Sequence, residues 1–449
     1  MAAAEELPPE DRAAHRASAV ASPESFATVT TPAERRRAFL ILFLSLMCLG
    51  AGQSVMFAIL PSIARELGLS EFAASLPFVT SAAIWVFTST YWGKRSDHLG
   101  RKPMILLGLM AFGVSFALFA SFVGLAMVHV MAVAFAYPLM IASRSLYGLF
   151  GSGASPAAQA YVADRTTRAE RTQGVATIGA AFGLGTTIGP GIGSALVVFG
   201  LLAPYYFTAA AAVASAAAIW YFLPERTAPR MRLERQKQPL KWHDPRIWPF
   251  VVFGLGISTA GAVPIQTVGY LVIDVLHFSP AEAPQYTGIG LVASSLASLF
   301  AQLVIVQRFN MSARALMRWG TVIGLASFAL FVISRQFGPL VVALIISGLG
   351  FGMVRPGYSA AASLAVTPDE QGAIAGIVGA TAGAGFIFGP MIATGLYRIS
   401  PAAPYVFGAV LMAAMYAYAL LSPHLKNAGA LAPDSDVVEE TAETQVPNA

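Results

Sequence analysis

The stretch Gly93-Lys94-Arg95-Ser96-Asp97-His98-Leu99-Gly100-Arg101-Lys102-Pro103 sets six ionisable side chains within nine residues, in a chain with only 11% charged residues. One acid, Asp97, stands among the bases Lys94, Arg95, Arg101 and Lys102. That order suits a carboxylate able to change partners, while the bases hold the segment against anionic headgroups. Gly93 and Gly100 would permit a tight reversal between the apolar runs on either side. Arg144 and Arg355 are different: each lies inside an apolar run, where a charge costs on the order of 2.5–3.5 kcal/mol on insertion scales. A residue that expensive in hydrocarbon is expected to face water, a partner or a substrate. None of the 23 acidic residues lies deep in such a run. Asp97 and Asp164 are expected at one edge, Asp274 and Glu282 at the other, and Ser279-Pro280-Ala281-Glu282 reads as a capping box. With Arg144 and Arg355, the mid-run residues Gln53, Phe57, Trp85, Gln266, Tyr270 and Tyr358 are candidates to line a substrate cavity. His129 is expected to make an interfacial hydrogen bond.

Other chemistries are poorly supplied. Gly93-Lys94-Arg95-Ser96 lacks the upstream glycine of a phosphate-binding loop, and the remaining Gly-rich runs do not follow a strand. No HExxH sequence, no Cys or His cluster and no nucleophile constellation occurs, and Cys48 is the only cysteine. We therefore expect no enzyme activity, no cofactor and no metal.

The elements that must position these residues follow from composition. Of 449 residues, 56% are hydrophobic, with a mean hydropathy of +0.65. A soluble domain is nearer 45–50% apolar and about 25% charged. Apolar runs of roughly 20 residues, long enough to cross a bilayer as helices, recur at about 38–62, 72–93, 103–127, 133–162, 171–197, 203–222, 247–273, 283–306, 313–334, 338–366, 371–397 and 401–422. The expected fold is an all-α polytopic membrane protein of twelve transmembrane helices. Of the 28 Lys and Arg, only Arg65, Arg335 and Arg398 fall on the sparse side and Arg144 and Arg355 within spans. The positive-inside bias then puts both termini in the cytoplasm and the protein in the cytoplasmic (inner) membrane. A sequence pI of about 9.3 reflects that basic side and calls for no nucleic acid.

Residues 1–36 and 425–449 read as disordered tails, the second acidic. Arg36-Arg37 faintly resembles an export signal, but the following run is too long and reads as an uncleaved first span. The loop at 223–246 divides the spans into halves at 37–222 and 247–424. Gly179-Ala180-Ala181-Phe182-Gly183-Leu184-Gly185-Thr186-Thr187-Ile188-Gly189-Pro190 recurs two hundred residues later as Gly379 to Pro390, without a gap. The same offset pairs Gly148 with Gly348, Pro156 with Pro356, and Glu170 with Glu370. Repeated six-helix halves are the mark of transporters that rock about a midplane site. Glycines four apart, at Gly179/Gly183 and Gly185/Gly189, are expected to permit close helix approach, and each Gly-Pro a bend.

On these residues the chain resembles the major facilitator superfamily. The opening stretch matches that family's loop pattern G-x-x-x-D-x-x-G-R-K at Gly93, Asp97, Gly100, Arg101 and Lys102. Arg144 to Gly148 is similar to its fourth-helix element, and Tyr161-Val162-Ala163-Asp164-Arg165 to the end of that helix. Gly185 to Pro190 resembles the G-x-x-x-G-P element of the twelve-helix drug:proton antiporters. The resemblance spans about residues 37–424. It implies the major facilitator fold, with Asp97 and its loop latching the cytoplasmic side and the Gly-Pro elements (Gly185, Gly189, Pro190; Gly389, Pro390) acting in coupling. It also implies a secondary transporter, a monomer, carrying small lipophilic compounds outward against protons. The second half departs from the pattern, since Gln307 to Arg314 lacks Gly-Arg-Lys, and the first helix keeps only Leu60-Pro61 of a two-proline element. Two alternatives stand beside efflux: proton-linked uptake of a small organic anion, and a membrane sensor or scaffold that transports nothing.

Overall fold

A computed structural model describes residues 31–166, 168–224, 240–309, 311–367 and 370–426. Among these described residues, twelve helices are long and apolar enough to cross a membrane, where a helix is the way for a single segment to satisfy its own backbone. They are α1 Pro32–Glu66, α2 Glu71–Leu99, α3 Arg101–Met127, α4 Val133–Ala163, α5 Arg168–Leu196 and α6 Ala203–Phe222. The second half holds α7 Trp248–Asp274, α8 Ala283–Arg308, α9 Ala313–Ile333, α10 Phe337–Leu364, α11 Gln371–Tyr397 and α12 Ala403–Leu421. A turn at Ser152-Gly153 interrupts α4, and a π-helical stretch at Ala301–Ile305 interrupts α8.

Three local features depart from expectation. α1 starts at Pro32, so residues 32–36 are helical rather than tail. The cause is a capping box: Glu34 N–H donates to the Thr31 hydroxyl at 3.2 Å, and Thr31 N–H to the Glu34 carboxylate at 3.1 Å. Gly93 is no turn residue, because α2 continues to Leu99. The whole reversal into α3 falls on Gly100, at φ 96°, a conformation that side chains rarely adopt. Glu282 does meet Ser279, whose hydroxyl donates to its carboxylate at 2.8 Å, but in the turn before α8 begins at Ala283.

The internal repeat is written into the packing. A Cβ on Gly185 would strike the Met47 carbonyl of α1, and one on Gly189 the Ala51 carbonyl and Ser54 hydroxyl. Two hundred residues on, Gly385 and Gly389 press the same way on Ser258 and Ala262 of α7. Gly148 of α4 meets the Ser81 carbonyl of α2, and Gly348 of α10 the Ser294 carbonyl of α8. Tyr205 lies tilted at 5.9 Å from Phe116, while Tyr405 stacks at 4.9 Å from Phe331. Gly179 and Gly183 do not pack as expected: a side chain there would meet nothing within 4 Å, and the same holds for Gly376 and Gly379.

The end of the bundle where α1 begins is termed the basic face, and the opposite end the far face. Contacts between halves run from the far face to mid-bundle. Pro61 lies on Gly269, Ser194 on Gly288, Val292 on Gly191, and, at 3.9 Å, Val86 opposite Gly383. Toward the basic face, the Gly179/Gly183 and Gly376/Gly379 surfaces look onto open space. The described halves thus close at the far face and part toward the basic one.

Candidate functional site

Arg144 is buried in the first half, 1% exposed. Its guanidinium donates to the Ser115 hydroxyl of α3 at 3.2 Å and to Gln53 Oε1 of α1 at 3.1 Å. Its charge centre lies 4.6 Å from the Phe116 ring centroid and 5.6 Å from that of Tyr147. Arg144 forms no salt bridge among the described residues, so ring faces and two polar oxygens carry the burden of its desolvation. Its Nε has no hydrogen-bond partner there. Arg144 is therefore withdrawn from solvent, and its partner Gln53 is the half-buried member of the pair.

Phe57, Gln266 and Tyr270 come together across the two halves. They line a small cavity with Leu60, Pro61, Glu71, Ser75 and Thr394. Phe57 stacks on Phe78 at 5.4 Å, and Phe78 in turn lies 5.7 Å from the Arg144 charge centre. A continuous aromatic path thus joins the cavity to the buried arginine.

Above this cavity sits a cluster that sequence reasoning missed. Arg65 of α1 donates to both carboxylate oxygens of Asp274 on α7, at 3.1 and 2.6 Å, and to Glu71 of α2 at 2.5 Å. Tyr397 of α11 donates to Asp274 at 3.2 Å, and the Tyr270 ring lies 5.1 Å from the Arg65 charge centre. Two forked bonds from one arginine join both halves at the far face. The available signal was Arg65 itself, one of three bases on the sparse side.

The other candidates do not join this group. Tyr358 is buried among helices, its hydroxyl 3.2 Å from that of Thr381 and its ring against Gly254, so it packs α10 on α11 and α7. Arg355 is exposed, with its guanidinium beside Gly261 and 5.7 Å from the Phe351 ring. It makes no hydrogen bond or salt bridge among the described residues. Trp85 is half-buried on α2, away from the cavity. His129 is exposed in the turn after α3, at φ 58°.

At the basic face each half is stitched to itself. Arg101 donates to Asp164 at 3.3 Å and to Ser96 at 2.7 Å, and Lys102 to the Trp220 carbonyl at 2.7 Å, tying α2, α3, α4 and α6. The Asp97 side chain lies outside the described residues. In the second half Arg246 pairs with Asp244 at 2.8 Å and with Glu370, ahead of α11, at 2.9 Å. The Arg246 hydrogen bond, followed by that of the Thr367 N–H, holds the Glu370 carboxyl down at about 2. Arg246 likewise lowers Asp244 and is itself raised.

Two repeated six-helix halves, closed on each other at one face around a small shared cavity, define a secondary membrane transporter. The chain belongs to the Major Facilitator Superfamily, whose model matches residues 42–311 and 271–442. It is 28% identical over 371 residues to Multidrug resistance protein 2 of Bacillus subtilis, covering 80% of this chain and 88% of that protein. It is 22% identical to Quinolone resistance protein NorA of Staphylococcus aureus, covering 81% and 91%. Among solved structures, the human organic anion transporter MFSD10 aligns with a TM-score of 0.61 at 20% identity, over 87% of this chain and all of that one. A bacterial homologue of the human lysosomal transporter Spinster aligns at 0.67 and 12% identity, over 90% and 98%.

Proposed function

We propose that the chain is a proton-coupled exporter of small lipophilic compounds, acting by alternating access in the cytoplasmic membrane. The basic face is the cytoplasmic one, both termini lie there, and one chain is the working unit. The observation that carries this reading is the similarity to multidrug and quinolone resistance proteins along four-fifths of the chain. Phe57, Gln266 and Tyr270 meet the substrate, with Gln53 oriented by Arg144. Asp97 and its basic neighbours latch the cytoplasmic side in the alternate state, and Asp97→Asn abolishes transport without reducing membrane insertion. Arg144 and Arg355, without carboxylate partners, favour neutral or anionic compounds over permanent cations.

The test is accumulation of matched neutral and quaternary ammonium compounds by inverted vesicles under an imposed proton gradient. Neutral compounds should accumulate and leave when a protonophore is added. Accumulation that a protonophore does not touch would remove proton coupling, and equal transport of the cations would remove the charge argument. The exposed Arg355 favours one rival, uptake of organic anions. Anion accumulation by right-side-out vesicles, with none of lipophiles by inverted ones, would establish it.

A further inference from the structure

Each Gly-Pro element is followed four residues later by a hydroxyl. Ser194 lies four after Pro190 and Thr394 four after Pro390, again two hundred apart. Ser194 Oγ lies within hydrogen-bond distance of two carbonyl oxygens, that of Pro190 in its own helix at 2.7 Å and that of Pro284 of α8, in the other half, at 2.8 Å. Thr394 repeats this geometry: it donates to the Pro390 carbonyl at 2.7 Å, and its oxygen lies 3.5 Å from that of Ser75 on α2, again in the other half. Thr394 and Ser75 are 1% exposed and Ser194 is 9%. A hydroxyl carries one proton, so Ser194 cannot satisfy both carbonyls fully at once.

We propose that Ser194 and Thr394 are paired clasps that hold the far face shut, each with one acceptor for the closed state and another for the open one. In the closed state Ser194 turns its proton to Pro284 across the interface. In the open state the same proton serves Pro190, so parting the halves strands no buried donor and avoids the penalty that makes buried polar contacts hard to release. Gly288 of α8 is the seat of the Ser194 clasp. A Cβ there would occupy the position of the Ser194 hydroxyl and lie 3.0 Å from the Pro190 carbonyl oxygen. The Thr394 clasp is the looser of the two, because its contact is long at 3.5 Å; Ser75, whose proton goes to the Phe72 carbonyl at 2.8 Å, serves there as acceptor. The inference rests on alternating access and on no particular substrate or coupling ion.

The test uses the full chain in lipid nanodiscs with Cys48→Ala. One spin-label pair at V198C and I399C reports the far face, and a second at L99C and L364C the basic face. Gly288→Ala should lengthen the far-face distance and shorten the basic-face one, and adding Ser194→Gly, which removes the clash and the hydroxyl together, should bring both back to the distribution of Ser194→Ala and no further. Merely damaged packing would give neither the opposed movement nor the rescue. Ser194→Ala, which removes one oxygen, should raise the open population by roughly 2- to 10-fold, the range expected of one hydrogen bond, and Thr394→Val by less. Should Gly288→Ala fail to fold, Ser194→Ala decides alone: an unchanged distance distribution overturns the clasp. Arg65→Ala is the control. If it opens the far face while Gly288→Ala and Ser194→Ala do not, the clasp is wrong and alternating access stands. If no variant moves either distance, alternating access falls and the clasp with it.

Discussion

The two halves share a skeleton and differ in what it carries. Gly185 and Gly189 lock α5 onto α1 as Gly385 and Gly389 lock α11 onto α7, and Tyr205 and Tyr405 sit in matching aromatic clusters. Yet the position two hundred after Arg144 is Leu344, and the one two hundred before Arg355 is Ser155. The Tyr405 hydroxyl accepts from Thr267 at 3.0 Å, whereas the buried Tyr205 hydroxyl has no partner among the described residues. Backbone-to-backbone approach tolerates no side chain, so a duplicated fold preserves its glycines. Polar groups are free to diverge once each half has its own task.

The largest effect should come from the shared skeleton. Gly189→Leu must displace the Ala51 carbonyl and Ser54, and we expect transport in vesicles to fall by more than ~10-fold. Gly179→Leu, facing open space, should stay near wild type. Equal loss in both would mean that packing against α1 is not the constraint. Next come the unshared arginines. Arg144→Lys keeps the charge but loses the fork that reaches Ser115 and Gln53 together, and should lower transport by roughly 10-fold. Arg355→Lys, with no fork to lose, should change it by less than about 2-fold. A reversed order would exchange the roles of the halves.

The tyrosines sharpen the comparison at lower energy. Tyr405→Phe should cost about 0.5–1.5 kcal/mol by deleting the hydrogen bond between the Tyr405 and Thr267 hydroxyls. Tyr205→Phe, which deletes an unpartnered hydroxyl, should leave the melting temperature equal or higher. A drop on Tyr205→Phe as large as that on Tyr405→Phe would contradict the asymmetry. The smallest effect concerns the Arg246–Glu370 pair. Because the Glu370 carboxyl is lowered from 4.5 to about 2 in the folded chain, its contribution is present above pH 4.5 and is lost as pH falls toward 2. The difference in melting temperature between wild type and Glu370→Gln should therefore be flat from about pH 6 to 8 and shrink on acidification below about 4.5. A difference that changes near pH 7 would point to another group.

Hydropathy made the twelve spans legible, because a helix in hydrocarbon must be apolar on every side that touches lipid. The same uniformity hides which side faces the other half, so no periodicity announced the Ser194–Pro284 contact. The Arg65 cluster was hidden for another reason: Asp274 lies 209 residues away, and four helices contribute to it. The start of α1 could have been read, since Thr31-Pro32-Ala33-Glu34 is a capping box in plain sequence, but it closes a polar, mixed-charge stretch that reads as a tail. Gly93 misled because two glycines flanking a charged segment imply two bends, whereas a helix can carry charge past the headgroups and turn on Gly100 alone.

The bare surfaces at Gly179, Gly183, Gly376 and Gly379 have a consequence for motion. A wall of side chains must exchange rotamers as a neighbour slides past, and each frozen or released torsion carries an entropic cost. A wall of backbone has no torsions of that kind to rearrange. Where the halves part, these stretches of α5 and α11 should offer low friction, so rocking there is limited by what breaks at the far face and hardly at all by the surface left behind.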